Sequence, residues 1–183
     1  MRISFVCFLV LIVASSNAQQ RYSLTKGQIN FTSNAELELI SASSDKLQGL
    51  LDPSTNHFAF AVDVKTFVGF NSELQREHFN EKYMESERFP KAKFAGKIIE
   101  QVDFTSDGVH EVRAKGDLEI HGQKQTRIIK GKITTKDGTV KIEAHFTVPL
   151  EDHNIAVPTI VRQKIATEIN VDFSGTLALQ KAL

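Results

Sequence analysis

Six histidines, one cysteine and a carboxylate pair at Glu77 and Glu81 are the side chains of this 183-residue chain that could do more than pack. Histidine can serve as a general base or bind a metal, cysteine can act as a nucleophile, and paired carboxylates can divide acid and base work. Their spacing argues against each. No His-Glu-x-x-His, no histidine pair at metal spacing and no Gly-x-Ser-x-Gly elbow occurs. His145 falls on the polar side of an alternating run, His110 at a strand start, and His57 and His153 at loop ends, where solvated histidines are expected. Glu77 and Glu81 lie one helical turn apart with Arg76 and Lys82 beside them, the pattern of a solvated charged face. His78 differs, because it shares the apolar side of a helix with Leu74 and Phe79. A ring there needs a polar partner. Two readings stay open: a bond to a backbone carbonyl that pins the helix, or a polar contact at the mouth of a cavity. The reading assigns no catalytic residue, no metal site and no cofactor.

Cys7 sits in a segment with the marks of an export leader. Arg2 supplies its positive start, Phe5 to Ala14 its apolar run and Ser16-Asn17-Ala18 its small-residue cleavage site. The run is too short to span a bilayer. The expected division is residues 1–18 as signal peptide and 19–183 as one domain. A mature chain without cysteine has no disulfide or thiolate site and fits a periplasm better than an animal secretion. Basic and acidic residues balance at 22 each, so the charge calls for neither nucleic acid nor an anionic membrane, and no stable membrane insertion is expected.

The remaining chain reads mostly as strands. Alternation of apolar and polar residues begins at Ile29 to Phe31, runs through Leu37-Leu39-Ser41 and Leu47-Gly49-Leu51, and reaches Phe58, Phe60, Val62 and Val64. After Asn71 the period changes. Ser72 with Gln75 forms a capping box, and a helix to about Met84 puts Leu74, His78, Phe79 and Tyr83 near one face, ending before Pro90. Strands then resume through Ala92-Phe94-Gly96-Ile98, Val112-Ala114-Gly116-Leu118-Ile120, Ile129-Gly131-Ile133, Val140-Ile142-Ala144-Phe146-Val148 and Ile169-Val171-Phe173-Gly175-Leu177. Turns fall at His121-Gly122 and Lys136-Asp137-Gly138, while Glu151 to Thr167 reads as a long loop or a short helix. The fold class is all-β, an antiparallel barrel of about eight strands with one helix inserted mid-chain; a two-sheet sandwich is the alternative.

Small residues recur among bulky ones on the dry face, which predicts either bends in the strands or a lumen that side chains leave open. Phe58, Phe60, Phe67, Phe70, Phe79, Phe89, Phe94, Phe104, Phe146 and Phe173, with no tryptophan anywhere, make a soft apolar wall that is mostly ordinary core; a cavity among them would be lined by nearly pure hydrocarbon, suited to an acyl or isoprenoid chain. The expected ligand-binding residues are Phe58, Phe60, Val62, His78, Phe79, Tyr83, Phe94, Gly96, Ala114, Gly116, Leu118, Ile129, Ile133, Ile142, Phe146, Val171 and Phe173.

Several segments, in order, carry a family likeness: His78-Phe79 with Lys82-Tyr83-Met84-Glu85-Ser86-Glu87-Arg88-Phe89-Pro90-Lys91-Ala92-Lys93-Phe94, then Gly116 to Gly122, then Phe146 to Ile155 followed by Pro158. Together they resemble the YceI-like family of exported lipid-binding proteins. The resemblance implies a lipocalin-like barrel holding a polyisoprenoid or similar long-chain lipid, periplasmic or secreted, without catalysis. The chain departs from the family in having His78-Phe79 for the common His-Leu, and Gln123-Lys124-Gln125 where a threonine commonly follows the His-Gly turn. The expected function is non-enzymatic carriage or scavenging of such a lipid. An enzyme acting on a lipid in the lumen, and a structural or stress protein with a filled core, are the alternatives.

Overall fold

The structure, a computed structural model, describes residues 20–180, so the expected cleavage after Ala18 lies outside the described residues. Nine strand segments form one antiparallel sheet: β1 (Tyr22–Asn34), β2 (Leu39–Ser44), β3 (Gln48–Asp52), β4 (His57–Asp63), β5 (Lys91–Ile98), β6 (Gly108–Ile120), β7 (Gln123–Lys136), β8 (Thr139–Pro149) and β9 (Glu168–Leu179). Except for β2 and β3, which do not pair with each other, each strand pairs with its neighbour in sequence, and β1 pairs with β9 from Tyr22↔Leu179 to Thr32↔Asn170, which closes the sheet. β2 and β3 both lie on the other edge of β1, one against Ile29–Asn34 and the other against Tyr22–Ser23. They are two halves of one stave interrupted at Asp45-Lys46-Leu47, so the result is a closed up-and-down barrel with eight strand positions. Closure leaves no long free edge.

The alternation that predicted the strands also sets their faces. On β6 the odd positions Arg113, Lys115, Asp117 and Glu119 point outward, and Val112, Ala114 and Leu118 point in. β1 starts at Tyr22, seven residues before the alternation becomes regular, because a register shift between Leu24 and Lys26 breaks the period. Val64 leaves the strand and opens a 3₁₀ turn over Val64–Thr66 whose cap is Asp63. The β6–β7 and β7–β8 hairpins turn on His121-Gly122 and Asp137-Gly138, all with positive φ, the geometry of tight hairpins with matching twist.

One end of the barrel is packed shut. Tyr22, Leu51, Val140 and Leu177 are buried there with Phe104, whose carbonyl accepts from the Tyr22 hydroxyl at 3.2 Å. The β5–β6 connection that carries Phe104 is tied across this end by Asn56 Nδ2 donating to the Glu100 carbonyl and by Thr135 Oγ1 donating to that of Ser106.

At the other end stands the inserted helix. α1 (Glu73–His78) begins at the Ser72 cap, whose Oγ accepts from the Gln75 amide at 3.2 Å. Gln75 reaches back one residue further than a capping box predicts, its Oε1 accepting from the Asn71 amide. The helix then widens into a π turn over Phe79–Tyr83. Its anchor is aromatic: Phe79 stacks on Phe31 at 5.2 Å between centroids and touches Phe67 and Phe70. The expected loop after β8 contains two 3₁₀ turns, Leu150–His153 and Thr159–Val161.

Candidate functional site

Between the packed end and the helix the barrel encloses a cavity of about 370 Å³. This lies within the about 300–1,000 Å³ of ordinary ligand sites. Its wall is built from the inward positions of the strands. Phe58, Phe60, Phe94 and Phe173 form one aromatic side, with centroid separations of 5.0 Å for Phe58 to Phe94 and for Phe60 to Phe173. Val62, Leu118, Ile129, Ile133, Ile142 and Val171, with the Phe146 ring, complete the apolar wall, and His78, Phe79 and Tyr83 enter from the helix. Ala114 borders the same space.

Gly96 and Gly116, expected beside it, are not lining residues. They face each other across β5 and β6, and a Cβ on Gly96 would stand 2.1 Å from the Lys115 carbonyl oxygen and 2.4 Å from the Gly116 Cα. These glycines are small so that two backbones can approach, and the space above them is not vacant. Gly49 is likewise covered, by the Phe60 ring at 2.2 Å from its would-be Cβ. Of the small inward residues, Ala92, Ala114, Ala144 and Gly131 adjoin the cavity. Leu74 lies outside it and is largely exposed, because the first helical turn is held against the β1–β2 tip by Gln75 donating to Glu38 and Asn71 donating to the Leu39 carbonyl.

Phe67 and Phe70, from the expected phenylalanine wall, line the cavity, as do residues the sequence did not mark for the site: Ile29, Phe31, Ile40, Leu47, Met84, Leu150, Ile155, Val161 and Ile165. The strand residues share the inward alternation of those it did select. The residues after β8 carry no periodic signal and reach the cavity through the folding-back of their loop.

Polar lining residues at the mouth are Ser33, Glu38, Gln75, His78 and Lys164, and Lys93 of β5 and Lys130 of β7 also border the space. His78 Nε2 lies 3.2 Å from Lys82 Nζ, one turn along. Burial pushes the Tyr83 phenol up from its ordinary value, so it presents a neutral hydroxyl. Among the described residues no three His, Cys, Asp or Glu side chains gather closely enough to hold a metal ion, and no helix is long and apolar enough to cross a membrane.

His153 is not a solvated loop residue. It is fully buried, its Nδ1 3.2 Å from the Gln123 carbonyl and its Nε2 without a partner. Desolvation pushes its pKa down, so the ring is held neutral. The neighbouring His121 bridges the Glu85 carboxylate at 2.9 Å and the His153 carbonyl at 3.1 Å, stitching the end of the helical segment to the β6–β7 turn. His145 is exposed and pairs with Asp172 at 2.7 Å.

Solved structures of other proteins are similar to this chain in fold. A polyisoprenoid binding domain from Saccharophagus degradans implicated in plant cell wall breakdown is similar with a TM-score of 0.74 at 15% identity, covering 87% of this chain and 98% of its own. BcnA of Burkholderia cenocepacia follows with 0.68 at 13% identity over 82% and 95%, and the YCEI protein of Campylobacter jejuni with 0.54 at 14% over 100% and 94%. At these identities the likeness is one of fold. No curated protein matches the chain in sequence. The family description YceI-like domain, however, matches residues 9–177, a span that takes in all but the last two residues of the closing strand β9. By that match, and with the barrel and mid-chain helix its segments were expected to build, the chain belongs to the YceI-like domain family.

Proposed function

We propose that the chain is an exported, non-enzymatic carrier or scavenger of a long-chain apolar lipid, a polyisoprenoid or a chain of similar character, held in the barrel. The observation that carries this reading is the cavity itself: about 370 Å³ walled by phenylalanine and aliphatic side chains, with a group of polar residues at its mouth. Such a site gains free energy by taking hydrocarbon out of water and offers an interior polar group few partners. The tail therefore lies among Phe58, Phe60, Phe94 and Phe173, and a polar head sits by His78, Lys82 and Lys164. Hydrocarbon walls discriminate weakly, at about 1–3 kcal/mol per methylene. The binding site accordingly selects a class of lipid more than one species. The Saccharophagus degradans neighbour, described as a polyisoprenoid binding domain, supports the same class.

Export rests on the leader read in residues 1–18, with release to the periplasm or the outside of the cell. Mass spectrometry of protein recovered from an exporting host should show a chain starting at Gln19; a mature chain that keeps Cys7 overturns the export reading. The lipid reading is tested by extracting purified protein with organic solvent. A stoichiometric long-chain lipid is expected, chemical conversion of an added lipid replaces the carrier with an enzyme, and an empty extract with no uptake on incubation leaves only a structural role.

A further inference from the structure

We propose that the rim around the cavity mouth docks onto an anionic lipid bilayer, so that the lipid passes between membrane and barrel without crossing water. The proposal rests on the lipid-binding reading. Ile160, on the turn Thr159–Val161, is 93% exposed, and Leu37 on the β1–β2 tip is 63% exposed. Leu39 and Leu74 are more than half exposed. A single exposed aliphatic side chain is ordinary. These four belong to one rim, because their segments are bonded together: the Leu37 amide donates to the Gln163 carbonyl at 2.8 Å, the Ala166 amide to Ser33 Oγ at 2.9 Å, and Asn71 Nδ2 to the Leu39 carbonyl at 3.0 Å. Their immediate neighbours Glu38, Ile40, Gln75 and Val161 line the cavity, so the apolar rim is continuous with the apolar lumen.

The charges favour an anionic partner at the Ile160 turn. Arg162 and Lys164 are exposed and make no ion pair among the described residues. Of the rim's acidic groups, Glu73 pairs with Arg76 at 3.8 Å, while Glu36 and Glu38, the latter bonded only to the neutral Gln75 amide, lie on the β1–β2 tip and not on the Ile160 turn that carries the two cations. Attraction therefore centres on the turn, where the most exposed apolar side chain also lies. Each basic group near an anionic surface strengthens partitioning by roughly fivefold. Each buried Leu or Ile adds roughly tenfold.

Flotation of the mature protein with vesicles of phosphatidylcholine alone, or equimolar with phosphatidylglycerol, tests this. The wild type is expected to float with the mixed vesicles in preference to the neutral ones. Leu37→Asp combined with Ile160→Asp should lower binding by roughly a hundredfold, and Arg162→Gln should remove about fivefold on the mixed vesicles only. Both variants should keep the wild-type thermal midpoint and should still take up a polyprenol presented in detergent micelles, since none of the three residues lines the cavity. A wild type that does not float, a double variant that floats as well as wild type, or a double variant that loses micellar uptake as well overturns docking. If the wild type docks yet takes up no lipid from micelles, the carrier reading fails and the membrane contact stands.

Discussion

Replacing Ala114 by phenylalanine sets two accounts of the barrel interior against each other. Ala114 borders the cavity from the middle of β6, paired with Ile98 on one side and Ile129 on the other. An apolar cavity that accommodates a benzene ring measures roughly 150 Å³, about two-fifths of the 370 Å³ present here. If the space is open in the lipid-free protein, the new ring fills it against existing apolar walls and stabilises by about 1.5–3 kcal/mol. If the interior is already filled by its own side chains, the ring overpacks it and costs about 1–3 kcal/mol. The two outcomes differ in sign, and in a domain of this size each kcal/mol moves Tm by roughly 2–4 °C. Differential scanning calorimetry on delipidated protein, with the bound lipid quantified in parallel, reads both consequences. The expected result is a raised Tm together with a large loss of bound lipid. A lowered Tm, or an undiminished lipid load, refutes a vacant lumen at this level of the barrel.

Gly96→Ala should cost at least the about 1–3 kcal/mol typical of overpacking, since its Cβ would strike the Lys115 carbonyl. Gly138→Ala, at φ +74° with nothing within 4 Å of the new carbon, should cost only the roughly 1–2 kcal/mol of a left-handed residue; urea unfolding of the two variants should rank them in that order. His153 is held neutral by burial, so below about pH 6.5 the unfolded chain binds a proton that the folded one does not, and stability falls as the pH drops until the lowered folded pKa is reached. His153→Gln should flatten that part of the curve of unfolding midpoint against pH, and a slope equal to wild type would count against the assignment. His78→Ala should weaken retention of bound lipid while leaving no chemical step to lose; turnover by wild type that the variant lacks would move His78 from contact to catalysis.

Alternation carried most of this architecture, because an inward side chain on a barrel strand is also a lumen side chain. Fifteen of the seventeen residues expected at the site line the cavity, and all but His78, Phe79 and Tyr83 come from strands. The two exceptions, Gly96 and Gly116, show where composition misleads. A glycine on a dry face reports that something is close, and only the paired strand reveals whether that is a ligand or another backbone. Burial of His153 was hidden for a different reason: the 3₁₀ turn Leu150–His153 has no period, and its position comes from packing against the β6–β7 hairpin. The role of Phe79 as an aromatic anchor, with Phe31, Phe67 and Phe70 from separate segments, was equally out of reach of local pattern.

The pairing of β1 with β9 has a kinetic meaning. Apart from the short β1–β3 pairing of Tyr22 and Ser23 with Leu51 and Leu50, every other pairing joins strands adjacent in the chain, so hairpins can zip up one after another with little loop-closure entropy to overcome. The β1–β9 seam instead brings the two ends of the domain together, with the Gln180 amide reaching the Arg21 carbonyl at 2.7 Å, a closure with more loop entropy to overcome than any hairpin. All-β barrels that depend on such a distant pairing fold in about milliseconds to seconds. Until the seam forms, the sheet is an open ribbon with two unpaired edges, each more than ten residues long, that can recruit another copy. The bulge between Leu24 and Lys26 interrupts one of those edges, so a mispaired neighbour would meet a break in register that β9 alone is shaped to match.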